Sequence, residues 1–132
     1  YEIPTYQHSY SKVKLAFFNG EGVWASRPVE AKLIALYKAY MPVMRKYADV
    51  FTAEGARMGP ATGYKRVFAN TFSDGKTTLY TLYNANDRTV WLDMALPAQE
   101  RLTDAVTGEA VGEGALEAFR LHPREVRLVV VE

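Results

Sequence analysis

Apolar and polar positions alternate most regularly between Lys65 and Leu96, and the pattern predicts three antiparallel strands joined by two tight turns. Arg66 to Phe72 is the first strand. Ser73-Asp74-Gly75-Lys76 follows it, with Asp-Gly expected to supply the positive φ angles of a two-residue hairpin. Thr77 to Tyr83 is β-branched or aromatic at nearly every position, and Asn84-Ala85-Asn86-Asp87-Arg88 then offers turn chemistry again. The third run places Val90, Leu92, Met94 and Leu96 on one face and Thr89, Trp91, Asp93 and Ala95 on the other, as in a half-buried strand that Pro97 ends.

The rhythm continues to the C-terminus. Arg101–Ala105, Ala115–Leu121 and Val126–Val131 read as further strands, separated by turns at Thr107-Gly108-Glu109 and His122-Pro123-Arg124-Glu125. About six short strands at such intervals predict an antiparallel β-sandwich or open barrel. The run Val126-Arg127-Leu128-Val129-Val130-Val131 would invite aggregation at a free edge, so it is expected to be paired internally.

Upstream of the sheet the period changes. Val13 to Phe18 is a short apolar run that predicts a buried strand, closed by the loop Asn19-Gly20-Glu21-Gly22. Ser26 suits a helix N-cap, with Pro28 in the first turn and Glu30 near the positive end of the helix dipole. Val29, Leu33, Leu36, Tyr37, Tyr40, Met44, Tyr47 and Phe51 then recur at three- and four-residue steps, which predicts one long amphipathic helix from about Pro28 to Phe51. Pro42 should kink it near Lys38 to Pro42, or make two helices meet there. Gly55, Gly59, Pro60 and Gly63 form a connector. The expected class is therefore α+β: residues 1–58 form an N-terminal strand-loop-helix unit, and residues 59–132 an antiparallel β-sandwich of about six strands.

Composition narrows the chemistry. The 132 residues suit one compact unit, and the lack of cysteine removes disulfides and thiolate metal sites. Sixteen basic against fifteen acidic residues, with no block of like charge, argue against a nucleic-acid partner or an anionic membrane surface. No apolar stretch approaches the ~20 residues of a bilayer span, so the chain reads as soluble, and a secreted or periplasmic parent is compatible with it. No phosphate cradle, paired-histidine metal spacing or nucleophile elbow occurs, so no cofactor and no metal are expected. His122 reads as a solvated turn residue, and Asp74 and Asp87 as turn residues at hairpin tips.

One constellation remains. Asn19, Glu21 and Trp24 follow the Val13–Phe18 run directly, and His8 lies among tyrosines just upstream. Strand, polar loop, aromatic and long helix is the layout of one βα unit, in which ligands meet the loops at the strand's C-terminal end. Glu21 can hydrogen-bond sugar hydroxyls while Trp24 offers an apolar face to a pyranose ring. The alternative is a Gly-rich turn with Glu21 solvated and Trp24 packed beneath the helix.

The order of a short strand, N-G-E-G-V-W, the helix A-K-L-I-A-L-Y-K-A-Y-M-P-V-M-R-K-Y-A-D-V-F, a Gly/Pro connector and F-A-N-T-F-S-D-G-K-T-T-L-Y-T-L-Y-N-A resembles the C-terminal region of a (β/α)-barrel glycoside hydrolase. D-A-V-T-G-E and the closing H-P-R-E-V-R-L-V-V-V-E are similar to the final strands of the sandwich in those families. The resemblance implies the last barrel strand and helix followed by a C-terminal β-sandwich, a non-catalytic region supporting carbohydrate hydrolysis. Its partner would be the catalytic barrel of the same parent chain, with carbohydrate as a second ligand, and the chain alone would be inactive. Two other functions stay open. A free-standing carbohydrate-binding module needs exposed aromatics, for which Tyr80, Tyr83 and Trp91 are candidates that core packing also claims. A structural or protein-interaction domain needs an exposed apolar patch, such as an open face of the long helix.

Overall fold

The run before Asn19 is helical, not extended. A computed structural model of the chain describes residues 10–20, 31–96 and 100–131, and begins with helix α1 (Tyr10–Phe18). Ala16, Phe17 and Phe18 are all buried while Leu15 is exposed. Three consecutive buried residues cannot lie on one face of a strand, but they can wrap the end of a helix pressed against a sheet. The predicted long helix is two helices, α2 (Ala31–Lys46) and α3 (Ala48–Ala53). Pro42 lies inside α2 without ending it. Pro42 and Lys38 are both exposed, so the backbone bond that proline removes falls on the side where water can replace it. The break comes instead at Tyr47, which still donates to Val43 O and accepts from Phe51 N, each at 3.0 Å. The expected N-cap at Ser26, with Pro28 and Glu30, lies outside the described residues.

Eight strands follow among the described residues: β1 (Arg57–Met58), β2 (Val67–Ser73), β3 (Thr78–Asn84), β4 (Val90–Ala95), β5 (Arg101–Asp104), β6 (Ala110–Glu113), β7 (Ala115–Leu121) and β8 (Val126–Val131). The short β1 and β6 have too few residues to show a period. Six strands form one sheet in the order β1-β2-β3-β8-β5-β6, and β4 pairs with β7 in a second. All ladders are antiparallel. The fold is α+β, with a helical layer, a six-stranded sheet and a two-stranded sheet stacked on it.

The β2–β3 hairpin is as expected, but its link is longer than two residues. Pairing ends at Ser73↔Thr78, and of Asp74 and Gly75 only the glycine takes positive φ, 89°. Asp74 serves the turn through its carboxylate, with Oδ1 accepting from Lys76 N at 2.9 Å and Thr77 N at 2.7 Å. The expected β3–β4 hairpin does not form. The free edge of β3 is taken by β8, from Leu79↔Val130 to Tyr83↔Val126, so β8 is paired internally between β3 and β5. Asn84, fully buried, makes the corner that sends β4 to the other sheet. Its Nδ2 donates to Arg88 O, Leu121 O and His122 O at 2.9 to 3.1 Å, and its Oδ1 accepts from Asn86 N at 3.0 Å.

Each face of β3 builds a core. Leu79 and Tyr83 face the helices with Phe72, Val126 and Leu128, against Phe17, Val43 and Phe51. Tyr80 and Leu82 face the two-stranded sheet, against Leu92, Phe119 and Leu121. The buried apolar side chains of the helices among the described residues thus rest on this chain's own sheet. Val90, Leu92, Met94 and Leu96 are buried and Trp91, Asp93 and Ala95 exposed, as the alternation predicts. No helix among the described residues is long and apolar enough to cross a membrane.

Leu92 is 0% exposed between the sheets. Leu92→Ala should cost about 2 to 5 kcal/mol in urea unfolding through lost burial and the cavity left behind, and Asp74→Ala, at an exposed turn, far less. Equal shifts of the two midpoints would contradict this placement. The turn amides of Thr77 and Lys76 hold the Asp74 carboxyl below the ordinary carboxylate range. A depressed folded-state pKa contributes stability above the unfolded value and loses it as pH falls through the folded one. The advantage of the wild type over Asp74→Asn at neutral pH should therefore shrink as the solution is acidified below the ordinary carboxylate range, and an advantage independent of pH would contradict the turn bonds.

Candidate functional site

The site suggested by the sequence begins where α1 ends. Asn19 N donates to Leu15 O and Gly20 N to Phe17 O, both at 3.0 Å, which closes the last turn of the helix. Gly20 has φ of 69°, and a Cβ there would stand 2.8 Å from the rings of both Phe51 and Phe72. Those rings meet edge to face at 4.8 Å between centroids, so the end of α1 is wedged against α3 and β2. The carbonyl of Phe18, left over by the helix, accepts from Thr81 Oγ1 at 2.6 Å and Asn70 Nδ2 at 3.3 Å. Asn70 and Thr81 are cross-strand partners, both buried, and they place a polar pair on the face of the sheet where that helix end lands.

Asn19 is exposed beside this joint, its Oδ1 3.5 Å from Asn70 Nδ2. It therefore sits at the end of a helix and not at the C-terminal end of a barrel strand. Glu21, Trp24 and His8 lie outside the described residues. Next to Asn19 is a depression of about 360 Å³ between α1, the β1–β2 connector and β2, lined by Met58, Pro60, Phe68 and Asn70 among others. Its lining contains no ionisable side chain. Met58 is 94% and Phe68 52% exposed, so this edge presents apolar side chains to solvent and its lining offers no acid or base.

A second depression, of about 260 Å³, is polar and lies over the ends of β5, β7 and β8. Asp104 holds it together. Its Oδ1 accepts from Val106 N at 2.8 Å and Thr107 N at 2.9 Å, and its Oδ2 accepts from Arg127 Nη2 at 2.7 Å and Nε at 3.2 Å. The D-A-V-T-G motif is thus a turn closed by its own aspartate and tied to the last strand. Arg127 also donates to Arg120 O at 3.0 Å and lies 3.9 Å over the Phe119 ring. Other carboxylates are similarly engaged: Asp87 pairs with Arg124 at 2.8 Å, Asp93 accepts from Ala118 N at 2.8 Å, and Glu125 accepts from His122 N at 2.9 Å. Among the described residues no three histidine, aspartate or glutamate side chains gather as a metal site. His122 is exposed in its turn, as expected.

The three aromatics weighed for carbohydrate stacking separate cleanly. Tyr80 and Tyr83 are buried, and burial pushes the Tyr80 phenol above its ordinary pKa. Trp91 is 57% exposed on the outer side of β4, contrary to a core role.

No protein-family model matches the chain, and no curated protein matches it. Solved structures share its fold. An α-amylase from Geobacillus thermoleovorans has a TM-score of 0.66 at 12% identity, over 92% of this chain and 33% of that one. A putative α-N-acetylgalactosaminidase from Bacillus halodurans has a TM-score of 0.62 at 11% identity, over 92% and 31%. A GH27 β-L-arabinopyranosidase from Geobacillus stearothermophilus has a TM-score of 0.61 at 14% identity, over 92% and 29%. The fold is thus one found within glycoside hydrolases, and the chain spans about a third or less of the length of each.

Two substitutions test the joint at the end of α1. Thr81→Val keeps the shape but removes a donor from the buried Phe18 carbonyl, and should cost about 1 to 3 kcal/mol. Gly20→Ala should cost more than Gly55→Ala, because Gly55 has a similar φ of 73° with nothing within 4 Å of its absent Cβ. Urea midpoints of the three variants measure both effects, and equal losses at the two glycines would contradict the wedge.

Proposed function

We propose that this chain is the non-catalytic, sandwich-bearing region of a glycoside hydrolase, supporting the catalytic barrel of the same parent. The observation that carries this reading is the asymmetry of the fold match: 92% of this chain corresponds to at most 33% of the α-amylase. The engagement of Asp87, Asp104 and Glu125 in turns and ion pairs supports it, because a glycosidase needs a pair of carboxyl groups held free on either side of a bond. We place the unit that meets the barrel in residues 1–58 and the sandwich in residues 59–132. The apolar edge around Met58 and Phe68 is suited to contact with the barrel, since exposed apolar surface of this kind marks protein contacts.

A second reading, a carbohydrate-binding module, is favoured by one observation, the exposure of Trp91. Structures that share this fold have been determined with maltose and with maltotriose bound. The two readings are compatible, since a supporting region can also hold substrate.

Incubation of the purified chain with a broad panel of aryl glycosides should release no aglycone above the buffer rate. Sustained turnover that survives repurification would overturn the non-catalytic assignment.

A further inference from the structure

The outer face of the β4–β7 sheet combines an exposed aromatic with fixed polar groups. Trp91 stands directly opposite Arg120 on β7, and Asp93 follows on the same face about 7 Å along the strand. The register shifts between Leu92 and Met94, where Asp93 alone faces Glu117 and Ala118. Ala118 has φ of 46°, a left-handed conformation that costs a residue with a Cβ about 1 kcal/mol or more. Asp93 Oδ1 holds this bulge by accepting from Ala118 N at 2.8 Å. On the open edge of β4, the Tyr64 hydroxyl accepts from Asp93 N at 3.2 Å. Asp93 is thereby anchored through its Oδ1 and its backbone N–H while the residue as a whole stays exposed.

We infer that this face is a binding platform for a short neutral oligosaccharide, with Trp91 stacking on a pyranose ring, Arg120 donating to hydroxyls and Asp93 Oδ2 accepting from them. The inference rests on the carbohydrate-binding reading above. Three features select this occupant. An indole in the open on a rigid strand offers an apolar plane at little entropic cost, and the apolar face of a pyranose fits such a plane. The flanking groups are one arginine and two carboxylates, Asp93 and Glu117, which suits a neutral polyhydroxyl ligand and disfavours a polyanion. The face is also small. Two strands of about six residues offer on the order of 200 Å², against about 800 Å² per partner for a stable protein interface.

The test is titration of the isotopically labelled 132-residue chain with maltotriose and with cellotriose, followed through the Trp91 indole N–H in the wild type and through the backbone amides of β4 and β7 in every variant. Saturable shifts with either sugar are expected. Trp91→Ala should weaken binding at least about tenfold at an unchanged melting temperature, and Trp91→Phe and Arg120→Ala less. The inference is overturned by the absence of saturable shifts up to the solubility limit, by equal affinity in Trp91→Ala, or by a dimer that Trp91→Ala dissolves. Failure here is distinct from failure of the non-catalytic assignment. A chain that neither turns over nor binds sugar loses only the platform, whereas turnover unchanged in Trp91→Ala removes the assignment and not the platform.

Discussion

Strand β3 has water on neither face, and every polar side chain it carries into the interior must find a partner there. Two do so in opposite directions. Thr81 points to the helical layer and takes the last carbonyl of α1, while Asn84 points to the other side and ties the end of β7 to the β3–β4 corner. An unmet bond at either site would cost about 1 to 3 kcal/mol, a large share of the stability of a small domain. These two bonds set where the helices sit and where the second sheet begins, while the apolar residues between them supply the bulk of the burial.

The same economy of polar groups holds at the edge of the sandwich. Asp104 spends its carboxylate on two turn amides and on Arg127, and Arg127 spends its guanidinium on Asp104, the Arg120 carbonyl and the Phe119 ring. A group so engaged rigidifies the edge of a sandwich and is poorly placed to trade protons. Among the described residues, large apolar side chains stand exposed at the edge around Met58 and Phe68 and on the Trp91 face of the smaller sheet.

The candidate site was legible only in part. Asn19 and Gly20 were marked as a loop by their residue types, but the helix before them was hidden because six apolar-rich residues fit a buried strand and a buried helix equally well. Asn70 and Thr81 gave no local signal at all, since the carbonyl that explains them lies 52 and 63 residues away. The role of Asp104 was half visible: its turn follows from Asp and Gly at fixed offsets, and its partner Arg127, 23 residues on, does not.

Residue types and their period determined by themselves the strands β2, β3, β4, β5, β7 and β8, the inward face of β4 and the general class of the fold, because side-chain direction along a strand is a local property of the backbone. Which edges meet was decided only in three dimensions. β4 and β8 are both able to pair with β3, and the outcome depended on the buried corner at Asn84 and on a run of valines that buries more surface in the middle of the larger sheet. The exposure of Trp91 was decided at the same step. Its alternation placed it on the face opposite Leu92, and it faces water because among the described residues no third layer lies over β4 and β7.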